Sequence, residues 1–158
     1  MKTYDINAVE EALQTQETAA FLTSGASMRP LLRAHRDIVV IEKPVHPLGI
    51  GDVPLYKKMG VSKLILHRII GIATDGTYVI RGDNTYQKEY VHKSDVVGVM
   101  TAIYRGGKYI DCSTSKGYKI YIKLNRFFYP LRWLWKTKIR ATLGKIKRKI
   151  IKQKNNTR

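Results

Sequence analysis

One hundred and fifty-eight residues is a length for one domain with an appendage, and it is long enough to bury a real core. The 29 Lys and Arg against 12 Asp and Glu leave a formal charge of +17, which excludes an ordinary neutral globule as the whole description and points to an anionic partner, nucleic acid or a membrane surface. The single cysteine, Cys112, excludes an internal disulfide framework and a multi-cysteine metal site, and it suits a reducing compartment.

The charge is concentrated. Residues 1–117 carry 15 basic and 12 acidic side chains, whereas residues 118–158 carry 14 basic and none acidic. The sequence therefore reads as a near-neutral body followed by a basic tail, divided as an N-terminal helix (1–22), a β domain (23–112) and a basic amphipathic helical tail (113–158). Asp5, Glu10 and Glu11 stand where a secretory signal would be basic and then apolar. No run reaches the roughly 18 apolar residues of a membrane span. The expected location is cytoplasmic, peripheral at the inner face of the cell membrane.

In chain order, Asp5 to Ala20 reads as a helix with a thin apolar stripe of Ile6, Val9, Leu13 and Ala20. The small polar run from Thr23 to Ser27 is a loop. Asp37–Glu42 is a short β-branched strand, and Asp52–Lys57, which contains Pro54, is an edge strand if it is a strand. Lys63–Ile72 and Thr77–Arg81 flank Thr74-Asp75-Gly76-Thr77, a hairpin signal. Asp95–Arg105 and Lys108–Cys112 are strands about a Gly106-Gly107 turn. Ser113-Thr114-Ser115 caps a helix that Pro130 interrupts. From Leu131 to about Lys152, Leu131, Leu134, Trp135, Ile139, Leu143, Ile146 and Ile150 fall on one face, with lysines and arginines on the rest.

Three segments carry candidate chemistry: Ser24-Gly25-Ala26-Ser27-Met28-Arg29-Pro30, then Leu66-His67-Arg68-Ile69-Ile70-Gly71, then Arg81-Gly82-Asp83-Asn84. Each alone reads as ordinary structure: a turn serine, a core histidine, a Gly-Asp-Asn turn. In this order and spacing they resemble the type I signal peptidase family and its wider clan, which includes the self-cleaving repressors of the SOS response. Gly51-Asp52-Val53 resembles a further box between the first two. The resemblance covers roughly Thr23 to Ile110. It implies a mainly β, coiled and partly barrel-like domain of signal-peptidase/repressor type, with a short N-terminal helix and a basic C-terminal helical tail. It also implies a serine endopeptidase, free of cofactor and metal, that removes a leader or signal segment from a peptide or protein.

In that resemblance Ser27 is the nucleophile and His67 the general base, as in the archaeal and endoplasmic-reticulum branch, where histidine replaces the lysine of most bacterial members. A serine hydroxyl needs a neighbouring base, and imidazole titrates near neutrality without the desolvation lysine requires. The Ser27 N–H would contribute to an oxyanion hole. A hydroxyl that some members place two residues earlier is absent at Gly25 unless Ser24 supplies it; Met28 follows the nucleophile. The orienting acid is open. A two-residue Asp75-Gly76 turn sets His67 opposite Asn84 and Arg68 opposite Asp83, making Asp83 a structural salt-bridge partner of Arg68. A three-residue turn sets Asp83 opposite His67. Glu89, six residues after Asp83, is the second candidate acid.

His35, His46 and His92 read as surface residues, Cys112 as a small core residue, Arg29 as solvated or substrate-facing, and Asp37 and Asp52 as turn residues. The tail, with Phe127, Phe128, Tyr129, Trp133 and Trp135 among its lysines, suits an anionic membrane surface engaged through residues 118–152. Packing on the domain or on a protein partner is the bland alternative, and nucleic acid ranks below both because RNA-binding and zinc-finger motifs are absent. Two other readings stand beside the peptidase. One is a catalytically idle module that binds membrane or nucleic acid. The other is a self-cleaving regulatory fragment, for which the 22 residues before Thr23 are too few to form a DNA-binding domain.

Overall fold

In the computed structural model, residues 6–58 and 60–135 are described. The protein is mainly β, with a curled half-barrel sheet, a short N-terminal helix and a C-terminal helix. The chain divides into two units after Tyr121.

The first helix, α1 (Ile6–Thr15), is shorter than the apolar stripe suggests. Glu17 takes a positive φ of 60°, and Thr18–Leu22 then becomes a strand, β1, instead of a further helical turn. β1 pairs antiparallel with β2 (Ile38–Glu42), from Thr18 opposite Glu42 to Leu22 opposite Ile38. Pairing over five residues outweighs the modest helical preference of Ala19 and Ala20, as tertiary context commonly does.

The large sheet is completed by β3 (Pro54–Lys58), β4 (Val61–Leu66), β8 (Val96–Arg105) and β9 (Lys108–Asp111), with strand order β1-β2-β8-β3-β4 and β9 on β8. The proline-containing strand β3 lies inside the sheet, between β8 and β4, and not at its edge. Pro54 is tolerated because it is the first residue of its strand, where a missing N–H costs the ladder least. A smaller sheet has the order β5-β6-β7, from β5 (Arg68–Ile72), β6 (Tyr78–Arg81) and β7 (Glu89–Val91). Residues 63–72 therefore form two strands that break at His67 and belong to different sheets. The unbroken apolar run could not show this, because its pattern is the same on both sides of the break.

The hairpin between β5 and β6 corrects both expected registers. The Ala73 N–H donates to the Thr77 carbonyl, so the loop holds three residues, with Gly76 at φ 81°. A bulge between Ile69 and Gly71 then takes up one more residue, and Arg68 stands opposite Arg81.

Tyr56, Ile69, Tyr78, Ile80 and Val91 form a buried cluster where the two sheets meet, with Leu48, Ile65 and Val96 against it. Such burial is worth about 1.5–3 kcal/mol per large side chain. Behind the large sheet, Leu13 of α1 is buried and its Cδ1 lies 3.4 Å from where a Cβ on Gly98 would stand. That Cβ would also meet Ile41 Cγ2 at 2.5 Å, so only glycine lets α1 and β2 approach β8 this closely.

Asp111 ends the β region. Its carboxylate accepts the N–H groups of Ser113 and Thr114, and Ser115 Oγ accepts the Tyr118 N–H, capping α2 (Lys116–Leu134). Pro130 lies inside α2 and does not interrupt it. One proline removes one hydrogen bond, and the helical bonds of its neighbours carry the helix four residues further. Among residues 122–135, Phe127, Phe128, Leu131, Trp133 and Trp135 are exposed. The expected apolar face beyond Trp135, from Ile139 onward, lies outside the described residues. Among the described residues, no helix is long and apolar enough to cross a membrane.

Candidate active site

Ser27 lies in the loop between β1 and β2, and that loop is fastened at both ends. Thr23 Oγ1 stands 3.1 Å from the Arg33 carbonyl and 3.0 Å from the Asp37 carbonyl and shares its one proton between them, and the Asp37 N–H donates to the Arg33 carbonyl. Asp37 is fully buried and does far more than make a turn. Its carboxylate accepts from the Arg33 N–H and pairs with Arg36 and Arg105, while Arg105 also donates to the Leu31 carbonyl. Burial opposes ionisation of Asp37, but the hydrogen bonds from Arg36, Arg33 and Arg105 outweigh it and hold the carboxyl well below the usual carboxylate range.

The Gly82-Asp83-Asn84 segment braces this loop, and each of its residues has a separate task. Asn84 donates its backbone N–H to the Ser27 carbonyl at 2.7 Å and its side-chain amide to the Ala26 carbonyl at 3.1 Å. Gly82 brings the parts together: a Cβ there would lie 2.7 Å from the Ser27 carbonyl oxygen and 3.0 Å from His67 Nε2. Asp83 forms a buried two-pronged pair with Arg68, Nε to Oδ1 and Nη2 to Oδ2, both at 2.8 Å. The guanidinium also donates to the Gly51 carbonyl and to the Tyr118 hydroxyl, and Tyr121 donates to Asp83. Arg68 thus ties the Gly51-Asp52-Val53 segment, the β5–β6 hairpin and the start of α2 to one point. Asp52 also makes the turn expected of it, accepting the Gly49 N–H.

His67 occupies the break between β4 and β5 and is 8% exposed. Its Nε2 faces Gly82. On the other side of the ring, Nδ1 lies 3.3 Å from the Tyr56 hydroxyl and 3.9 Å from Glu89 Oε1. The Tyr56 hydroxyl in turn donates to Glu89 Oε2 at 2.6 Å, and Lys58 Nζ stands 3.5 Å from Glu89 Oε1. Of the two candidate acids, Glu89 is the one beside the imidazole. Burial lowers the His67 pKa below its ordinary value; Glu89 and Asp83 act against that, and Lys58 adds to it. The balance favours the neutral ring, the form that can accept a proton.

Ser27 and His67 line one cavity of about 680 Å³ together with Ser24, Gly25 and Met28. Its other walls come mainly from Phe21, Leu32, Leu55, Leu64 and Leu66. β1 and β4, the terminal strands of the curled sheet, both contribute to it. His35, read as a surface residue, is exposed but also lines this cavity, whereas His46 and His92 are exposed elsewhere. Arg29 is exposed, and Cys112 is half-buried with its thiol pushed up to about 11, chiefly by burial.

Tyr56 escaped sequence reading. An aromatic residue in an apolar strand carries no catalytic signal, and its ring is indeed a core group. Only the pairing of β3 with β4, Leu55 opposite Leu66, carries its hydroxyl to the end of β4, where His67 stands.

No protein-family model matches the chain, and no curated protein sequence matches it significantly.

Proposed function

We propose that this protein is a serine endopeptidase of signal-peptidase-like type, with Ser27 as nucleophile and His67 as general base. One observation carries the reading: the Ser27 carbonyl and His67 Nε2 lie within 3.0 Å of one point, the Cβ position of Gly82, and Ser27 and His67 both line one largely apolar cavity. The order of the three motifs supports it independently.

Ser27 Oγ attacks the scissile carbonyl carbon while its proton passes to His67 Nε2, and the carbonyl π pair moves to oxygen. Among the described residues, the Ser27 and Met28 N–H groups donate to no protein acceptor, so they are available to the oxyanion. As the C–N bond breaks, His67 returns the proton to the leaving amine. Water then releases the acyl group by the same steps in reverse order of partners. The substrate is an extended peptide segment carrying bulky apolar side chains. Small residues alone would leave a cavity of 680 Å³ mostly empty, and the terminal strands β1 and β4 suit an added strand.

We place the enzyme peripherally at the inner face of a cell membrane. Residues 118–158 hold 14 basic and no acidic side chains, and Phe127 and Trp133 of α2 and Trp135 just after it are exposed among them, which suits an anionic lipid surface.

A serine-directed acylating probe with mass-spectrometric site mapping tests the chemistry. The expected result is a single label on Ser27, absent in Ser27→Ala and slowed by roughly a thousandfold in His67→Ala. An unlabelled wild type, or a label that persists in Ser27→Ala, rejects the peptidase and favours a binding module.

A further inference from the structure

We infer that Tyr56 is a positioning residue that couples Glu89 to His67, so that the histidine is oriented through a tyrosine bridge and not by direct contact with an acid. The inference rests on the peptidase reading for its catalytic consequence but not for its structural content.

The count of protons fixes the direction of each bond. A tyrosine hydroxyl has one proton to donate. At 2.6 Å from Glu89 Oε2, that proton belongs to the Tyr56–Glu89 hydrogen bond. Toward His67 Nδ1, 3.3 Å away, the same oxygen can then only accept. Nδ1 must therefore carry the ring proton, which leaves the Nε2 lone pair facing Gly82 and the Ser27 segment. This is the tautomer a general base for Ser27 needs. The direct alternative is weaker, because the Nδ1 to Glu89 Oε1 distance is 3.9 Å.

The bridge is rigid. Tyr56 is fully buried, with its ring held in the cluster of Ile69, Tyr78, Ile80 and Val91. Glu89 is fixed from its other side by Lys58. Burial and the adjacent Glu89 carboxylate both raise the Tyr56 pKa, so the phenol keeps its proton throughout. When Ser27 gives its proton to Nε2, the imidazolium is stabilised by the Tyr56 oxygen and, one bond further, by the Glu89 charge. No proton moves along the bridge.

The charged and titratable groups facing His67 are Tyr56, Glu89, Asp83 and Lys58. This makes the test sharp. Nitrogen-15 NMR of imidazole-labelled protein reads the His67 tautomer and its titration without any substrate. Expected for the wild type is the Nδ1–H tautomer, and for Tyr56→Phe a mixture of tautomers. Glu89→Gln should lower the His67 pKa, because a negative charge is lost, and Lys58→Met should raise it, because a positive charge is lost. A purely structural role would not give opposite shifts. With the acylating probe, Tyr56→Phe and Glu89→Gln should each slow labelling of Ser27 roughly ten- to a hundredfold, and the double variant should be no slower than the worse single one. Glu89→Asp should recover part of the rate if its shorter carboxylate still reaches the hydroxyl. An Nε2–H tautomer in the wild type, or an unchanged tautomer in a folded Tyr56→Phe, overturns the bridge. If the tautomer behaves as expected but the wild type is never labelled, the bridge stands and the peptidase reading fails.

Discussion

Arg68 and Asp83 meet through two hydrogen bonds of 2.8 Å, with their side chains 5% and 2% exposed. Removing one partner leaves the other charged and buried, which typically costs about 3–5 kcal/mol. Asp83→Ala should therefore be strongly destabilised in urea or thermal unfolding. Arg68→Met combined with Asp83→Leu should recover a large part of the loss, because no unpaired charge remains. A double variant no more stable than Asp83→Ala would show that Arg68's bonds to Gly51 and Tyr118, and not the ion pair, hold this junction.

Gly82 presents the opposite case, a residue whose substitution should harm activity more than stability. An added Cβ must displace either the Ser27 carbonyl, 2.7 Å away, or the His67 ring. Either shift would separate the proposed nucleophile, Ser27, from its proposed base, His67. A misplacement of about 1 Å in a catalytic group can cost about a hundredfold in rate. Gly82→Ala is expected to lose at least that in Ser27 acylation, with a melting temperature near that of the wild type. Full labelling in Gly82→Ala would mean that Gly82 does not set the Ser27–His67 approach.

Much of the candidate site is legible in the sequence because its residues stand in short segments. Ser27, His67 and Gly82-Asp83-Asn84 stand out by residue type and order, and Glu89 by its spacing from Asp83. Tyr56 was hidden because its role depends on which strands pair. Its position in β3 reads as core, and the approach to His67 exists only through the β3–β4 ladder. The assignment of Asp83 turned on a single bulge between Ile69 and Gly71, which no propensity encodes. β1 was concealed for a similar reason: Thr18–Leu22 is a strand because β2 lies beside it.

Asp37 gives the loop of Ser27 a pH dependence with a definite sign. Its carboxyl titrates well below the usual range in the folded chain and near 3.9 when unfolded. A group depressed in this way contributes stability above its unfolded pKa, and loses it as pH falls toward its folded pKa. Asp37→Asn keeps the shape but lacks the charge that Arg36 and Arg105 face. At pH 7 it is expected to be less stable by about 2 kcal/mol, a moderate value because both arginines are partly exposed and screened. The gap should narrow below about pH 4, where the unfolded wild type takes up a proton that folded Asp37 still refuses. Chemical denaturation at pH 7 and pH 3 measures both ends, and a gap that is constant with pH would remove the charge from the explanation.

The proposed membrane attachment of the tail would have two separable contributions. The basic side chains supply a long-range attraction of about 1 kcal/mol per Lys or Arg near an anionic surface, and salt weakens it. The exposed Trp133 and Trp135 supply an interfacial contribution that salt does not screen. Co-sedimentation of the full chain with vesicles of phosphatidylglycerol and phosphatidylcholine should show binding that requires the anionic lipid. Raising salt from about 0.05 M to 0.5 M should weaken binding without abolishing it. Trp133→Ala with Trp135→Ala should lower affinity about tenfold at either salt concentration and make the residual binding fully salt-sensitive. Equal binding to pure phosphatidylcholine would remove the charge from the mechanism. Unchanged binding by the double tryptophan variant would confine attachment to electrostatics, and no binding to either vesicle would reject the membrane as the partner of this helix.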